Sequence, residues 1–216
     1  MSPRLAVICV SIGALTAGLG YAAVAPYFAT RQEPPTREAV IGAARFVLLS
    51  GYLRPQSRAG GRLERLDLAA YFPDFTPAGE ARDVDVKTDL SERYDKLVFI
   101  EIKAAESGLD PAERTAKLYA RFLETEQWSH PGGLVAAAFQ ADSPFEGQEL
   151  YFVAPAGRVF AAVCGRPNQE RKTPNACAYD FRLGDLDIEL RFSAALLSEW
   201  EKLSAGARGL IAAARR

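Results

Sequence analysis

Three cysteines and one histidine are the residues of this 216-residue chain best suited to covalent or metal chemistry. Cys9 lies inside an apolar run, whereas Cys164 and Cys177 flank Gly165–Ala176, a loop rich in Pro, Asn, Arg and Lys (GRPNQERKTPNA). Two cysteines around one polar loop join in an oxidising compartment and remain thiols in a reducing one. The reading adopted is a Cys164–Cys177 disulfide, whose loop closure contributes roughly 3 kcal/mol on the chain-entropy model. A zinc site would need a second cysteine pair or more histidines. The loop cations Arg166, Arg171 and Lys172 are either a solvated connection or a cross-linked, preorganised contact for a partner.

His130 sits in the turn-forming run SHPGG, and any nucleophile–His–acid catalysis would have to use it. No G-x-S-x-G elbow, Walker loop, dinucleotide fingerprint or C-x-x-C-H haem motif is present. Asp83, Asp85 and Asp89 begin like a calcium loop. The pattern fails at Thr88 and Tyr94, where an EF-hand needs Gly and Glu, so these residues read as a strand. The 27 acidic residues offer many carboxylate pairs, but spacing along the chain does not give their separation. The chain therefore carries no catalytic, cofactor or metal motif and reads as a non-enzyme.

The location of any such chemistry depends on Leu5–Ala29, an uncharged, mostly apolar run long enough to span a bilayer, which needs about 20 residues. It is either a retained anchor or a cleaved signal peptide. Ala23-Val24-Ala25 resembles a cleavage site but is followed by Pro26, and Gly20-Tyr21-Ala22 is a second candidate. Arg4 on one side and Arg31, Arg37 and Arg45 on the other give little positive-inside bias. The cysteine pair places the rest of the chain outside the cytoplasm, with a cytosolic domain as the alternative. Ala14, Gly18 and Ala22 recur every four residues beside Gly13 and Ala17, a spacing that lets another helix approach closely.

After residue 29 the chain holds 25 basic and 27 acidic residues, a balance that argues against a nucleic-acid binder. Arg31–Pro35 reads as a stiff linker. Thr36–Ser50 reads as an apolar helix with Val40, Ile41, Ala44, Val47 and Leu48 on one stripe, stopped by Gly51. Leu63–Ala70 reads as a short helical piece, and Tyr71–Phe75 as an aromatic plug at a core edge. Asp83–Lys87 and Leu97–Ile102 read as strands. Asp110, Pro111 and Glu113 open a helix running to Trp128, with Glu113 and Lys117 paired on its outer side. Four or five strands follow, with hairpins across Pro155–Gly157 and Gly184–Asp185. Ser193 caps a final helix, Ala194–Ala213.

The expected class is α+β: an N-terminal transmembrane helix (1–29), a linker (30–35), and a domain (36–216) built as an antiparallel sheet with helices packed mainly on one face. This order resembles, in architecture, helix-grip domains, in which a sheet curls round a C-terminal helix and can leave a lipid-sized cavity. The expected function is an accessory or scaffold subunit of an inner-membrane protein complex, bound to the membrane and to a membrane-protein partner. A periplasmic small-molecule or lipid carrier is the alternative and a hydrolase the third. A large apolar cavity lined from Trp200 and the sheet would favour the carrier; a solidly packed interior with an exposed apolar patch would favour the scaffold.

Overall fold

A computed structural model describes residues 35–80, 90–166 and 176–216. The Leu5–Ala29 anchor, with Gly13, Ala14, Ala17, Gly18 and Ala22, lies outside the described residues, as do the Asp83–Lys87 strand and loop residues 167–175. Among the described residues no helix is long and apolar enough to cross a membrane.

The described chain opens with strand, not helix. Thr36–Ile41 (β1) and Ala44–Leu49 (β2) form an antiparallel hairpin that replaces the expected Thr36–Ser50 helix. Ala39, Ile41, Ala44, Phe46 and Leu48 are buried and alternate with more exposed neighbours, so the period is two and not 3.6. Gly42, at φ +57°, makes the tight turn that lets Ile41 pair with Ala44. Gly61–Arg62 (β3) runs parallel to β1 and completes a three-stranded sheet.

The second sheet has nine strands: Arg65–Tyr71 (β4), Thr76–Pro77 (β5), Leu97–Ala104 (β6), Leu123–His130 (β7), Leu134–Phe139 (β8), Gln148–Phe152 (β9), Ala161–Gly165 (β10), Ala176–Leu183 (β11) and Leu186–Ser193 (β12). Their order is β5-β4-β6-β12-β11-β10-β9-β8-β7, and every pairing is antiparallel. β4 takes the place of the expected helical piece at Leu63–Ala70. The expected helix from Asp110 also ends early. Pro111–Glu113 and Tyr119–Phe122 are 3-10 turns around a single α-helical turn, Arg114–Lys117, and Leu123–His130 leaves as β7. Asp110 does cap the segment, its carboxylate accepting from the Ala112 N–H at 2.9 Å. Pairing with the apolar strand β8 overrides helical propensity beyond Phe122.

A short helix, Leu90–Asp95 (α1), precedes β6; Arg114–Lys117 is α2 and Trp200–Ala214 is α3. Ser193 caps the approach to α3, its hydroxyl accepting from the Ala195 N–H at 3.3 Å. α3 buries Leu203, Ala207 and Ile211 in the same core as β1–β2 and the inward side chains of β4, β6, β12 and β11, among them Leu66, Ile100, Leu190 and Phe181. Full burial of such a side chain contributes about 2–3 kcal/mol. The Phe75 ring lies so close to Gly206 that a Cβ there would stand 2.2 Å from it. The C-terminus is tied down by the Arg216 N–H, which donates to the Arg45 carbonyl at 2.9 Å.

Burial changes sides along the sheet. In β8 and β9, Phe139, Leu150 and Phe152 point to the opposite face, where Tyr119, Phe122 and Phe145 cover them. The helical elements therefore occupy both faces, with α3 on one and the 110–122 segment on the other.

Candidate interaction surface

Cys164 and Cys177 stand opposite each other on neighbouring strands and are joined as a disulfide, with Cα atoms 4.0 Å apart. Both are 1% exposed and belong to the main core, so the bridge pins β10 to β11 where the two halves of the sheet meet. Of the loop cations, Arg166 is described. Its guanidinium lies 3.6 Å from the Glu149 carboxylate and 3.9 Å from that of Glu124, so it is partly occupied within the chain. Arg171 and Lys172 lie outside the described residues. His130 ends β7, with its ring edge-on to Tyr151 at 5.0 Å and its Nδ1 2.9 Å from the Pro131 carbonyl. Neither contact supplies a nucleophile.

The largest feature that the sequence reading did not assemble is a charged face. Register aligns Asp67 with Glu101, Glu101 with Glu189, and Glu189 with Asp180, giving four carboxylates in a row across β4, β6, β12 and β11. The adjoining row is Arg65, Lys103, Asp187 and Arg182. Strands lie about 4.8 Å apart, and like charges directly opposite one another are destabilising. Each carboxylate of the row has a cation: Arg65 reaches Asp67 at 3.0 Å and Glu101 at 3.5 Å, Lys103 pairs with Glu101, Arg191 with Glu189, and Arg114 with Asp180. The sequence signal for this was the alternation of Asp187, Glu189 and Arg191. The row itself needs the register.

A cavity of about 220 Å³ opens on this face between Glu101, Lys103, Glu106, Arg114 and Glu189. Past the Arg114–Asp180 pair lies a smaller one of about 60 Å³ lined by Tyr119, Val163 and Ala178. Two aspartates on this face titrate in opposite directions. Burial pushes the Asp180 carboxyl above its ordinary range, against the pull of Arg114. Asp187 is held below the ordinary range, chiefly by Arg182, whose Nε and Nη2 donate to its two oxygens at 2.7 and 2.9 Å. Burial, with Glu149 beside it, raises the Tyr151 phenol. Among the described residues no group of three or more His, Cys, Asp or Glu side chains could hold a metal ion. The carboxylates of the Asp67–Glu101–Glu189–Asp180 row are thus each matched to a cation.

Trp200 packs on the aromatic residues of the main core. Its ring lies 5.1 Å from Phe160 and its Nε1–H donates to the Gly132 carbonyl at 2.9 Å. Phe160 in turn lies 4.5 Å from Tyr179.

No family model matches this chain, and no curated protein matches its sequence. Two solved structures are similar to this chain. One is an immunity protein of the type IV secretion system of Stenotrophomonas maltophilia, at TM-score 0.59 and 16% identity, covering 85% of this chain and 94% of that one. The other is the iron-regulated outer membrane lipoprotein FrpD of Neisseria meningitidis, at TM-score 0.48 and 10% identity, covering 82% and 91%. At these identities the first shares its fold with this chain.

Proposed function

We propose that this chain is an envelope protein whose folded domain lies outside the cytoplasm and binds a partner protein, as an accessory or scaffold subunit held at the inner membrane by Leu5–Ala29. The observation that carries the binding role is the close packing of the main core among the described residues. Trp200 is packed on Phe160, and Phe75 is pressed against Gly206, so contacts with other molecules fall to the surface. The location is supported by the buried Cys164–Cys177 bridge, because disulfides persist in oxidising compartments, and by the apolar run at the N-terminus. A fold shared with a protein described as an immunity protein fits a role in protein recognition. On this reading the domain works by binding and performs no reaction of its own.

The test is purification of the full chain in mild detergent from its native host, followed by reconstitution with each co-purifying protein in purified form. A stoichiometric complex that re-forms from the two pure components is the expected result. A chain that purifies alone with extractable lipid in its interior would overturn the reading in favour of a carrier.

A further inference from the structure

The nine-stranded sheet has one guarded edge and one open edge. At the guarded edge β5 is two residues long and ends in Pro77, which has no N–H to offer. Beyond it, residues 53–57 cover β4: the Arg54 N–H donates to the Asp67 carbonyl at 3.0 Å, and the Asp67 N–H to Ser57 Oγ at 2.8 Å. At the other edge β7 runs for eight residues, LETEQWSH, without Pro or Lys, and among the described residues it pairs with β8 alone. Residues 124–129 are all exposed. An edge of this kind presents backbone donors and acceptors along its free side and is a template for a further strand.

The chain that forms and follows this edge carries charge of one sign. From Leu123 to Glu149 the chain carries Glu124, Glu126, Asp142, Glu146 and Glu149 and no Lys or Arg, in a protein with 26 basic residues. Arg166 reaches Glu124 and Glu149, whereas among the described residues Glu126, Asp142 and Glu146 form no ion pair, and all three are exposed. Three residues, Glu124 to Glu126, bulge between the register positions Leu123–Phe139 and Gln127–Ala137, which sets two of the carboxylates out of the regular ladder. Beside them Trp128 is 38% exposed, a rigid aromatic of the type that anchors interfaces.

We infer that β7 is the docking edge for the partner, and that the partner contributes an extended segment rich in Lys or Arg, added as a tenth strand. This rests on the partner-binding reading above. Backbone pairing along Gln127–His130 would give the segment its register, and the acidic surround would select a basic sequence and speed its encounter. A second copy of this chain fits less well, because two acidic edges would be brought together.

The probe is a synthetic peptide of about eight residues alternating Lys and Val, compared with a Glu/Val peptide of the same length, on the full chain in detergent. The Lys/Val peptide is expected to protect amides of residues 124–130 from hydrogen exchange, and the Glu/Val peptide to leave them unchanged. Glu124→Lys with Glu126→Lys is expected to weaken binding at low salt about tenfold or more. Glu64→Lys with Glu106→Lys, which makes the same change in net charge elsewhere, is expected to weaken it far less. Equal loss in the two double variants, protection confined to the charged face of β6 and β12, or dimerisation through β7 that the peptide does not displace would each overturn the inference. If a purified partner binds but its cross-links avoid β7, the edge assignment fails while the binding role stands. If no partner exists, the binding role itself fails.

Discussion

The two ends of the large sheet solve the same problem in opposite ways. At the β5–β4 end, every exposed backbone group would invite a stray strand, and the chain answers with a two-residue strand, a proline and the covering turn at Pro55–Ser57. At the β7 end the chain leaves residues 124–129 exposed, among and beside carboxylates. A fold that can shield one edge and does not shield the other points to use of the second. The core follows the same division. The half at β4, β6, β12 and β11 is sealed by α3 and the β1–β2 hairpin, while the half at β9 and β8 relies on a smaller aromatic cluster around Phe139 and Phe145. The disulfide stands where the halves join.

That division can be broken by mutation. Cys164→Ser should have the largest effect on stability, about 3 kcal/mol on the chain-entropy model for a short loop. For a domain of this size that is roughly 6–12 °C in melting temperature. Scanning calorimetry of protein made under oxidising conditions reads it, and membrane localisation should not change. Equal melting temperatures would remove the bridge from the account. Ser57→Ala comes next. It leaves the Asp67 N–H buried without its acceptor at the guarded edge, at a cost of about 1–3 kcal/mol, measurable as a lower urea midpoint with an unchanged slope.

A smaller and pH-dependent effect belongs to the charged face. Asp187 has its folded pKa depressed by Arg182, so its contribution is present above the ordinary carboxylate range and is lost as pH falls through the folded value. Arg182→Ala should therefore lower the urea midpoint at neutral pH, with the gap to the parent closing in acid. Asp180 has its folded pKa raised by burial, so its charged form disfavours the fold above that pKa and the penalty disappears in acid. Asp180→Asn should accordingly lose less at neutral pH than Arg182→Ala does. The reverse order would mean that the Arg114 pair outweighs burial. Glu126→Lys should have the smallest effect, within about 0.5 kcal/mol, because the residue is exposed and forms no ion pair among the described residues. A large loss there would show that β7 is structural rather than available.

Much of the strand pattern was legible in the sequence. Leu186–Phe192 alternates cleanly, and the Gly184–Asp185 turn, the Asp110 and Ser193 caps and the cysteine pair all stand where their residue types placed them. Two segments misled for one reason. Thr36–Ser50 and Leu63–Ala70 hold closely spaced apolar residues that fit either period, and in the first the deciding residue is Gly42, which a helix reading has to treat as a tolerated interior glycine. β7 misled for another: Leu123–His130 has no strong strand preference and is extended because β8 beside it is apolar and needs a neighbour. The candidate surface was less legible. The row of Asp67, Glu101, Glu189 and Asp180 comes from four strands whose order departs from the chain order, so spacing could not bring it together. The acid-only stretch from Leu123 to Glu149 was visible in the sequence, but its meaning depends on β7 lying at an edge.

The measurement that bears most directly on the account is differential alkylation of Cys164 and Cys177 in intact cells of the native host, read by mass spectrometry. The account predicts that both resist labelling until a reductant is added, and that the domain becomes accessible to external protease once the outer membrane is permeabilised. Free, labelled thiols on a domain that stays protected from that protease would contradict it.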